Sequence, residues 1–281
     1  MYIKANAKIN VFLDVVSVRK DGYHNLNMIM LPLELHDTIE IEKAPYSQTT
    51  FVVNDRVYKE ETSFDLIRKT ISSLEDNHNL EDRFNISVHK EIPICAGLGG
   101  GSCNAAATYK AIKKLSKIQM DEDKELNFCL SLGADVPFCM ANVPAHVEGI
   151  GEKVTPIKLA SKYYVLIIQP DKGLSTEKVF KASNSKKMKH GNVDQVIKAL
   201  AEDNEELLAK AMMNSLEETS IELVPEIKEI KEMFIKDGFK CAMMTGSGSC
   251  VFALTKDRRF ARAKYNKYLK AGYNAILTRT L

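Results

Sequence analysis

From Ile3 to Val15, in the stretch YIKANAKINVFLDVV, every odd position is apolar: Ile3, Ala5, Ala7, Ile9, Val11, Leu13 and Val15. Successive side chains of a strand point to opposite faces. This period of two therefore predicts a strand with one face on a core and sets Lys4, Asn6, Lys8 and Asn10 together on the other. RKDGYH (Arg19 to His24) supplies an Asp-Gly turn, DTIEIE a further strand, and FNISVHKEI a strand that delivers the chain to Pro93. There PICAGLGGGSCNAAATYKAIKKL runs from a glycine cluster directly into a helical pattern, Ser102 to Leu115. KELNFCLSLG reads as a helix ended by Gly133, and AHVEGIGEKVTPI as a strand broken by a Gly-Ile-Gly turn.

The second half predicts a strand in YYVLIIQP and a helical region from about Val193 to Leu216. A helix in PEIKEIKEMFIKDG follows, then strands in FKCAMMT and CVFALT, a helix in DRRFARAKYNKYLKAG capped by Asp257 and Gly272, and a strand in NAILTRT. Without the middle helices the order is β-α-β-β-α-β, a split-βαβ or ferredoxin-like arrangement. The expected architecture is α+β with two domains, residues 1–158 and 159–281.

Composition narrows the class. Of 281 residues, 45% are hydrophobic and 27% charged, as in ordinary globular proteins, and no apolar run approaches the ~20 residues of a membrane span. MYIKANAKIN has neither the apolar core of a signal peptide nor the bias of a transit peptide, so a cytoplasmic location is expected. Six cysteines without a C-x-x-C pair and six histidines without H-x-x-x-H indicate neither a zinc site nor a disulfide framework, only reduced and mostly buried thiols. A net charge of +2 offers no broad field for nucleic acid, and the basic run SNSKKMKH (Ser183 to His190) reads as a solvated loop.

Four glycines in five positions (Gly97, Gly99, Gly100, Gly101) imply a backbone that bends sharply or approaches something closely. At a helix start such a turn aims unpaired N–H groups and the positive dipole end at one spot, which suits a phosphate. The P-loop template fails because no Lys follows the glycines. The dinucleotide fingerprint fails because, counted from Gly97, its last glycine is Ser102. Protein kinases are excluded by the absence of H-R-D and D-F-G. On spacing alone, a glycine turn with no ligand stays open. If the turn does hold phosphate, Gly100 is expected to need both glycine's backbone angles and the room that a side chain would fill.

Taken together, ANAKINVFLDVVSVRKDGYHNL, PICAGLGGGSCNAAA, LGADVPF and MTGSGSCVFAL, in that order along nearly the whole chain, resemble the signatures of the galactokinase, homoserine kinase, mevalonate kinase and phosphomevalonate kinase (GHMP) superfamily. DGYH with GLGGGS-x-NAA and GADVPF is similar to its branch acting on a cytidylated methylerythritol. The resemblance implies an N-terminal domain of the ribosomal S5-like type for ATP and catalysis, and a ferredoxin-like substrate domain. The implied reaction moves the γ-phosphoryl group of ATP to a tertiary hydroxyl of a cytidine-diphosphate sugar alcohol, in non-mevalonate isoprenoid synthesis.

It further implies Lys8 and Asp135 as the catalytic pair, with Asp135 as base. By themselves a strand lysine reads as a solvated charge and Asp135 as a turn or cap residue beside an extended Val136. For ATP the implied residues are Lys90, Pro93, Ala96, Gly97, Leu98, Gly99, Gly100, Gly101, Ser102 and Cys103, with Mg2+ arriving on the nucleotide near Ser102. For the acceptor they are Asn10, Tyr23, His24, Thr176, Phe180, Gly246, Ser247 and Gly248, the aromatic groups taking cytosine. The implied partners are ATP and a small molecule, with no nucleic acid or membrane, in a monomer or homodimer.

Two departures stand out: Cys103 where the pattern has a second serine, and Ser63-Phe64-Asp65 where it has an Asn-Leu pair that helps hold adenine. Three readings stay open: an active kinase of the cytidylated methylerythritol, a sister kinase with another alcohol, and a nucleotide-binding protein that has kept the fold and lost the reaction. DGYH and Phe180 favour the first over the second, and intact Lys8 and Asp135 argue against the third.

Overall fold

The structure, a computed structural model, describes residues 1–45, 48–53, 56–58, 65–78, 80–183 and 188–281. In chain order the first half contains β1 (Tyr2–Val18), β2 (His24–Ala44), β3 (Gln48–Val53), β4 (Arg56–Tyr58), α1 (Asp65–His78), β5 (Arg83–His89), α2 (Gly100–Leu115), α3 (Glu122–Leu132) and α4 (Val136–Ala141). Then come β6 (Ala145–Gly149), β7 (Lys153–Pro156), β8 (Tyr164–Ile168), α5 (Thr176–Ala182), α6 (Val193–Ala201), α7 (Glu205–Ala211) and β9 (Met213–Asn214). The last elements are α8 (Glu217–Leu223), α9 (Glu226–Lys236), β10 (Cys241–Met244), β11 (Val251–Thr255), α10 (Arg258–Lys270) and β12 (Ala275–Arg279). Two compact units alternate along the sequence: Met1–Ala7, Leu35–Ile94 and Gly99–Asn142 make one, and Lys8–Glu34, Cys95–Leu98 and Val143–Leu281 the other.

In the first unit the end of β2 pairs antiparallel with β5, from Thr38 opposite His89 to Ala44 opposite Arg83. β3 runs parallel to β5 and antiparallel to β4. Phe84, Ile86 and Val88 of β5 are buried in alternation, as the sequence pattern demands. Helices α1 to α4 complete this unit. Tyr109 of α2 is fully buried with its ring 4.9 Å from Phe128 of α3, and Asp121 caps α3 by accepting from the Lys124 N–H at 2.9 Å.

In the second unit an Asp-Gly turn joins β1 to β2, with the Arg19 N–H donating to the Tyr23 carbonyl at 2.7 Å. β6 pairs with the start of β2 and with β7, and β9 runs parallel to β1. A separate four-stranded sheet has the order β10-β11-β8-β12 with all neighbours antiparallel. α9 precedes β10 and α10 lies between β11 and β12, so this sheet is the split-βαβ arrangement expected from the sequence. Asp257 caps α10 by accepting from the Arg259 and Phe260 N–H groups.

The differences from expectation have identifiable causes. The odd face of β1 is buried as expected, but Lys8, Asn10, Phe12 and Asp14 on the other face are buried too. Periodicity cannot show the second cover because these polar side chains find hydrogen-bond partners inside the protein. DTIEIE is only the end of the 21-residue β2, whose apolar run around Pro32 does not alternate. The helical region from Val193 is two helices, broken where Asp203 adopts φ 58° and Asn204 caps α7. Val136 is not extended: it opens α4, donating its N–H to the Gly133 carbonyl at 3.0 Å. Pro137 sits in the first turn, where its missing N–H is not needed.

Phe234 of α9 is fully buried, with ring centroids 5.5 Å from both Phe239 and Tyr268 in edge-on contact. Phe234→Ala should therefore destabilise the protein by about 3–5 kcal/mol, read as a lower urea midpoint at unchanged slope. A midpoint unchanged within error would mean that this aromatic cluster does not hold the second unit.

Candidate active site

In the second unit the site is built on β1. The Lys8 ammonium donates to Asn10 Oδ1 at 2.8 Å, and both side chains are buried, at 4% and 1% exposure. A buried ammonium is tolerated only with such partners. The Lys8 backbone N–H donates to the Leu98 carbonyl at 3.0 Å, and that of Asn10 to Thr245 Oγ1 at 3.1 Å. β1 is thereby fixed to the glycine turn on one side and to the Thr245–Ser249 turn on the other.

The two turns touch backbone to backbone. The Cys250 N–H donates to the Ala96 carbonyl at 3.3 Å, and the Thr245 hydroxyl to the Gly97 carbonyl at 3.3 Å. Gly97 has φ 74°, and a Cβ there would lie 2.1 Å from the Thr245 carbonyl oxygen, so only glycine fits. A Cβ on Gly246 would lie 2.9 Å from the Gly97 carbonyl oxygen and 3.4 Å from Lys8 Nζ. Lys8, Gly97 and Gly246 thus border one small volume.

The rest of the acceptor set belongs to the same unit. The His24 and Phe180 rings lie 4.7 Å apart at 44°. Tyr23, in the hairpin turn, presents an exposed ring. Thr176 Oγ1 and Ser247 Oγ are 2.8 Å apart, and the Ser220 hydroxyl donates to the Ser247 carbonyl at 3.1 Å. Gly248 stands in the same turn with φ 90°. Burial pushes the His24 ring below the ordinary histidine pKa, so it is neutral at pH 7.

In the first unit Gly99 is the N-cap of α2 at φ 73°, without a side-chain cap. A helix leaves its first N–H groups without internal acceptors, and no acidic residue stands in this first turn. Lys90 pairs with the buried Asp37, whose Oδ1 also accepts from the Glu91 and Ile92 N–H groups at 2.8 and 2.9 Å. A Cβ on Gly100 would meet Ile92 Cγ2 at 3.1 Å and Lys90 Nζ at 3.3 Å. The expectation that Gly100 needs glycine's angles is corrected, since its φ lies outside the left-handed region. A Cβ there would be crowded by the Lys90 and Ile92 side chains, which would have to give by a few tenths of an ångström.

Pro93 lies between the Asp37-bound strand end and the glycine turn, half-buried. Gly101 faces Leu66 of α1 at 3.5 Å from its would-be Cβ. Ser102 Oγ lies 3.7 Å from the would-be Cβ of Gly133, two residues before Asp135. Cys103 is buried against Cys139, with the sulfurs 3.0 Å apart. Asp135 is half-buried at the N-cap of α4 and makes no side-chain cap bond, so it does not do the ordinary job of an aspartate there.

Sequence reasoning missed three polar residues that shape these turns, Asn214 and Asp37 buried and Glu217 half-buried. Asn214 Nδ2 donates to the Met244 and Gly246 carbonyls at 3.0 and 2.8 Å. Glu217 accepts from the Met244 N–H at 2.9 Å and pairs with Lys231. Asp37 anchors Lys90. Each bonds to residues distant in sequence, which no local pattern reveals. Ser63 and Phe64 lie outside the described residues, and Asp65 opens α1. Among the described residues no group of three or more His, Cys, Asp or Glu is arranged for a metal ion, and no helix is long and apolar enough to cross a membrane.

The model of the GHMP kinases N terminal domain matches residues 65–143, and that of the GHMP kinases C terminal matches residues 196–274. A 4-diphosphocytidyl-2-C-methyl-D-erythritol kinase of Clostridium botulinum is 36% identical over 282 aligned residues, covering 100% of both chains. A protein of the same name from Clostridium novyi is 37% identical over 286, again covering 100% of both. The crystal structure of a 4-(cytidine 5'-diphospho)-2C-methyl-D-erythritol kinase superposes with a TM-score of 0.83 at 29% identity, covering 100% of this chain and 99% of that one. Homoserine kinase from Cytophaga hutchinsonii shares the fold at a TM-score of 0.77 and 17% identity, over 100% of this chain and 94% of its own. With its α+β architecture of paired N- and C-terminal domains, the chain belongs to the GHMP kinases, in the family of the 4-diphosphocytidyl-2-C-methyl-D-erythritol kinases.

Proposed function

We infer that this chain transfers the γ-phosphoryl group of ATP to the tertiary 2-hydroxyl of 4-diphosphocytidyl-2-C-methyl-D-erythritol, a step of non-mevalonate isoprenoid biosynthesis in the cytoplasm. The observation that carries this reading is the buried Lys8–Asn10 pair packed against Gly97 and Gly246, within a chain aligned end to end with kinases of that name. Residues 1–158 are assigned to ATP and catalysis, and residues 159–281 to the acceptor.

Phosphoryl transfer needs positioning, neutralisation of the moving charge, and a group that accepts the hydroxyl proton. Asp135, uncommitted to capping, accepts that proton as the acceptor oxygen attacks the γ-phosphorus. The bond to the departing ADP then breaks. Lys8, oriented by Asn10, neutralises the charge that develops. Lys90, Pro93, Ala96, Gly97, Leu98, Gly99, Gly100, Gly101, Ser102 and Cys103 hold ATP, with the first-turn N–H groups of α2 and the Lys90 ammonium as the phosphate donors.

An oxygen-lined cage for Mg2+ is not required of the protein, because this ion keeps most of its ligands as phosphate and water; the Ser102 hydroxyl fits as its protein contact. When bound with ATP, Mg2+ neutralises phosphate charge. His24 and Phe180 receive the cytosine ring with Tyr23 beside them, and Asn10, Thr176, Gly246, Ser247 and Gly248 hold the remainder of the acceptor. Neutral imidazole keeps one ring nitrogen as an acceptor, which can take a hydrogen bond from the amino group of cytosine and is lost on protonation.

The direct test is ADP release across a panel of alcohols: the cytidylated methylerythritol, mevalonate, phosphomevalonate, homoserine and galactose. The first should give the highest kcat/KM, and a higher value for any other would overturn the assignment. Asp135→Asn should keep ATP affinity and lose about 100-fold or more in kcat, since the amide keeps the shape and removes the base. Turnover within a few-fold of the parent would exclude Asp135 as base. Lys8→Met should lower kcat more than ATP affinity, whereas an effect on KM alone would make Lys8 a binding residue. The KM for the acceptor should rise as pH falls through the lowered pKa of His24, and this rise should vanish in His24→Gln. An identical pH profile in that variant would remove His24 from cytosine recognition.

A further inference from the structure

Cys103, the departure from the serine of the glycine-loop pattern, lies with its sulfur 3.0 Å from that of Cys139. Neither cysteine is in a disulfide, and the two are 2% and 9% exposed. Their backbones link them to the reaction's two working parts. The Cys103 N–H donates to the Gly99 carbonyl at 2.9 Å in the first turn of α2, and the Cys139 N–H to the Asp135 carbonyl at 3.0 Å in the first turn of α4. A covalent bond between the sulfurs would join the phosphate turn to the segment that carries the base.

We propose that Cys103 and Cys139 are a modification site, converted by a peroxide into a reversible disulfide that restrains α2 against α4. Two further features of the first unit support it. Lys110, seven residues after Cys103 on α2, donates to the Met140 carbonyl at 2.7 Å, which sets an ammonium beside the residue following Cys139. Burial pushes the Lys110 pKa down, while the neighbouring Cys139, Cys129 and Cys103 side chains push it back up. Burial also pushes the remaining nearby thiol, Cys129, up to about 12, so it stays protonated and does not compete.

The chemistry balances with one hydrogen peroxide. The Cys139 thiolate attacks a peroxide oxygen, the O–O bond breaks, and a sulfenic acid and hydroxide form. The Cys103 thiolate attacks the sulfenic sulfur, the S–S bond forms and the second hydroxide leaves. The two thiol protons complete two waters. Each sulfur loses one electron and the peroxide gains two. A dithiol reverses the bond by exchange.

The test treats the full-length protein with hydrogen peroxide, quenches with catalase, blocks remaining thiols with N-ethylmaleimide and maps peptides without reductant. The expected result is a peptide pair joining Cys103 to Cys139, lighter by two hydrogens, with turnover falling about tenfold or more and returning after dithiothreitol. Cys139→Ser should keep the parent turnover and resist peroxide. The activity arm rests on the kinase reading above, whereas peptide mapping does not, so failure of that reading and failure of the disulfide are read separately.

The proposal is overturned if peroxide doses that oxidise the exposed Cys95 give no Cys103–Cys139 peptide. It is equally overturned if the cross-link leaves turnover unchanged, or if Cys139→Ser loses activity to peroxide as the parent does. Should that variant not fold, mapping of the unsubstituted chain decides.

Discussion

The backbone contact between Gly97 and Thr245 is the constraint on which the rest of the second unit's site depends. A methyl group on Gly97 would stand 2.1 Å from a carbonyl oxygen, so the turn of residues 95–98 can seat against the turn of residues 245–249 only without a side chain. Because the turns are that close, the Lys8 N–H reaches the Leu98 carbonyl while the Asn10 N–H reaches the Thr245 hydroxyl. Those two bonds fix the strand whose side chains form the Lys8–Asn10 pair. Any widening of the seat moves the Lys8 ammonium away from Gly246.

Polar groups inside the protein maintain this geometry. Asn214 holds two carbonyls of the Met244–Gly246 segment, Glu217 holds the Met244 N–H, and Asp37 holds both Lys90 and the strand end that leads to the glycine turn. Asp14 plays a similar part elsewhere on β1, accepting from the Ser215 hydroxyl at 3.2 Å and the Gly191 N–H at 3.3 Å, with His190 Nδ1 at 2.8 Å. Removing one partner of such a set leaves a buried group unsatisfied, at a cost of about 1–3 kcal/mol. Such networks stabilise the fold modestly when intact, but they penalise every alternative position of the loops they bind.

The fold was legible wherever a segment carried its own signal. β1, the Asp-Gly turn, α2, α9, α10 with its Asp257 cap, and the β-α-β-β-α-β order could all be read from spacing, because period, caps and turns are local properties. The two-faced burial of β1 and the helical start at Val136 could not, because both depend on residues far away in sequence. The glycine turn was legible as a turn, yet the reason for each glycine was not. Gly97 is required by a backbone 148 residues away, while Gly100 is only crowded by the side chains of Lys90 and Ile92. Lys8 alone read as a solvated charge, and its burial beside Asn10 is what makes it a reactive candidate.

The central claim concerns where the phosphoryl group goes, and the spectrum of the product reads that directly. Proton-coupled phosphorus NMR of the reaction with ATP and 4-diphosphocytidyl-2-C-methyl-D-erythritol distinguishes the acceptor hydroxyls, because a tertiary carbon bears no hydrogen. Transfer to the 2-hydroxyl predicts a new phosphomonoester signal that is an unsplit line, alongside ADP in equal amount. A doublet or triplet for that signal, from transfer to a secondary or primary hydroxyl, or ADP formed with inorganic phosphate and no phosphomonoester, would contradict the account.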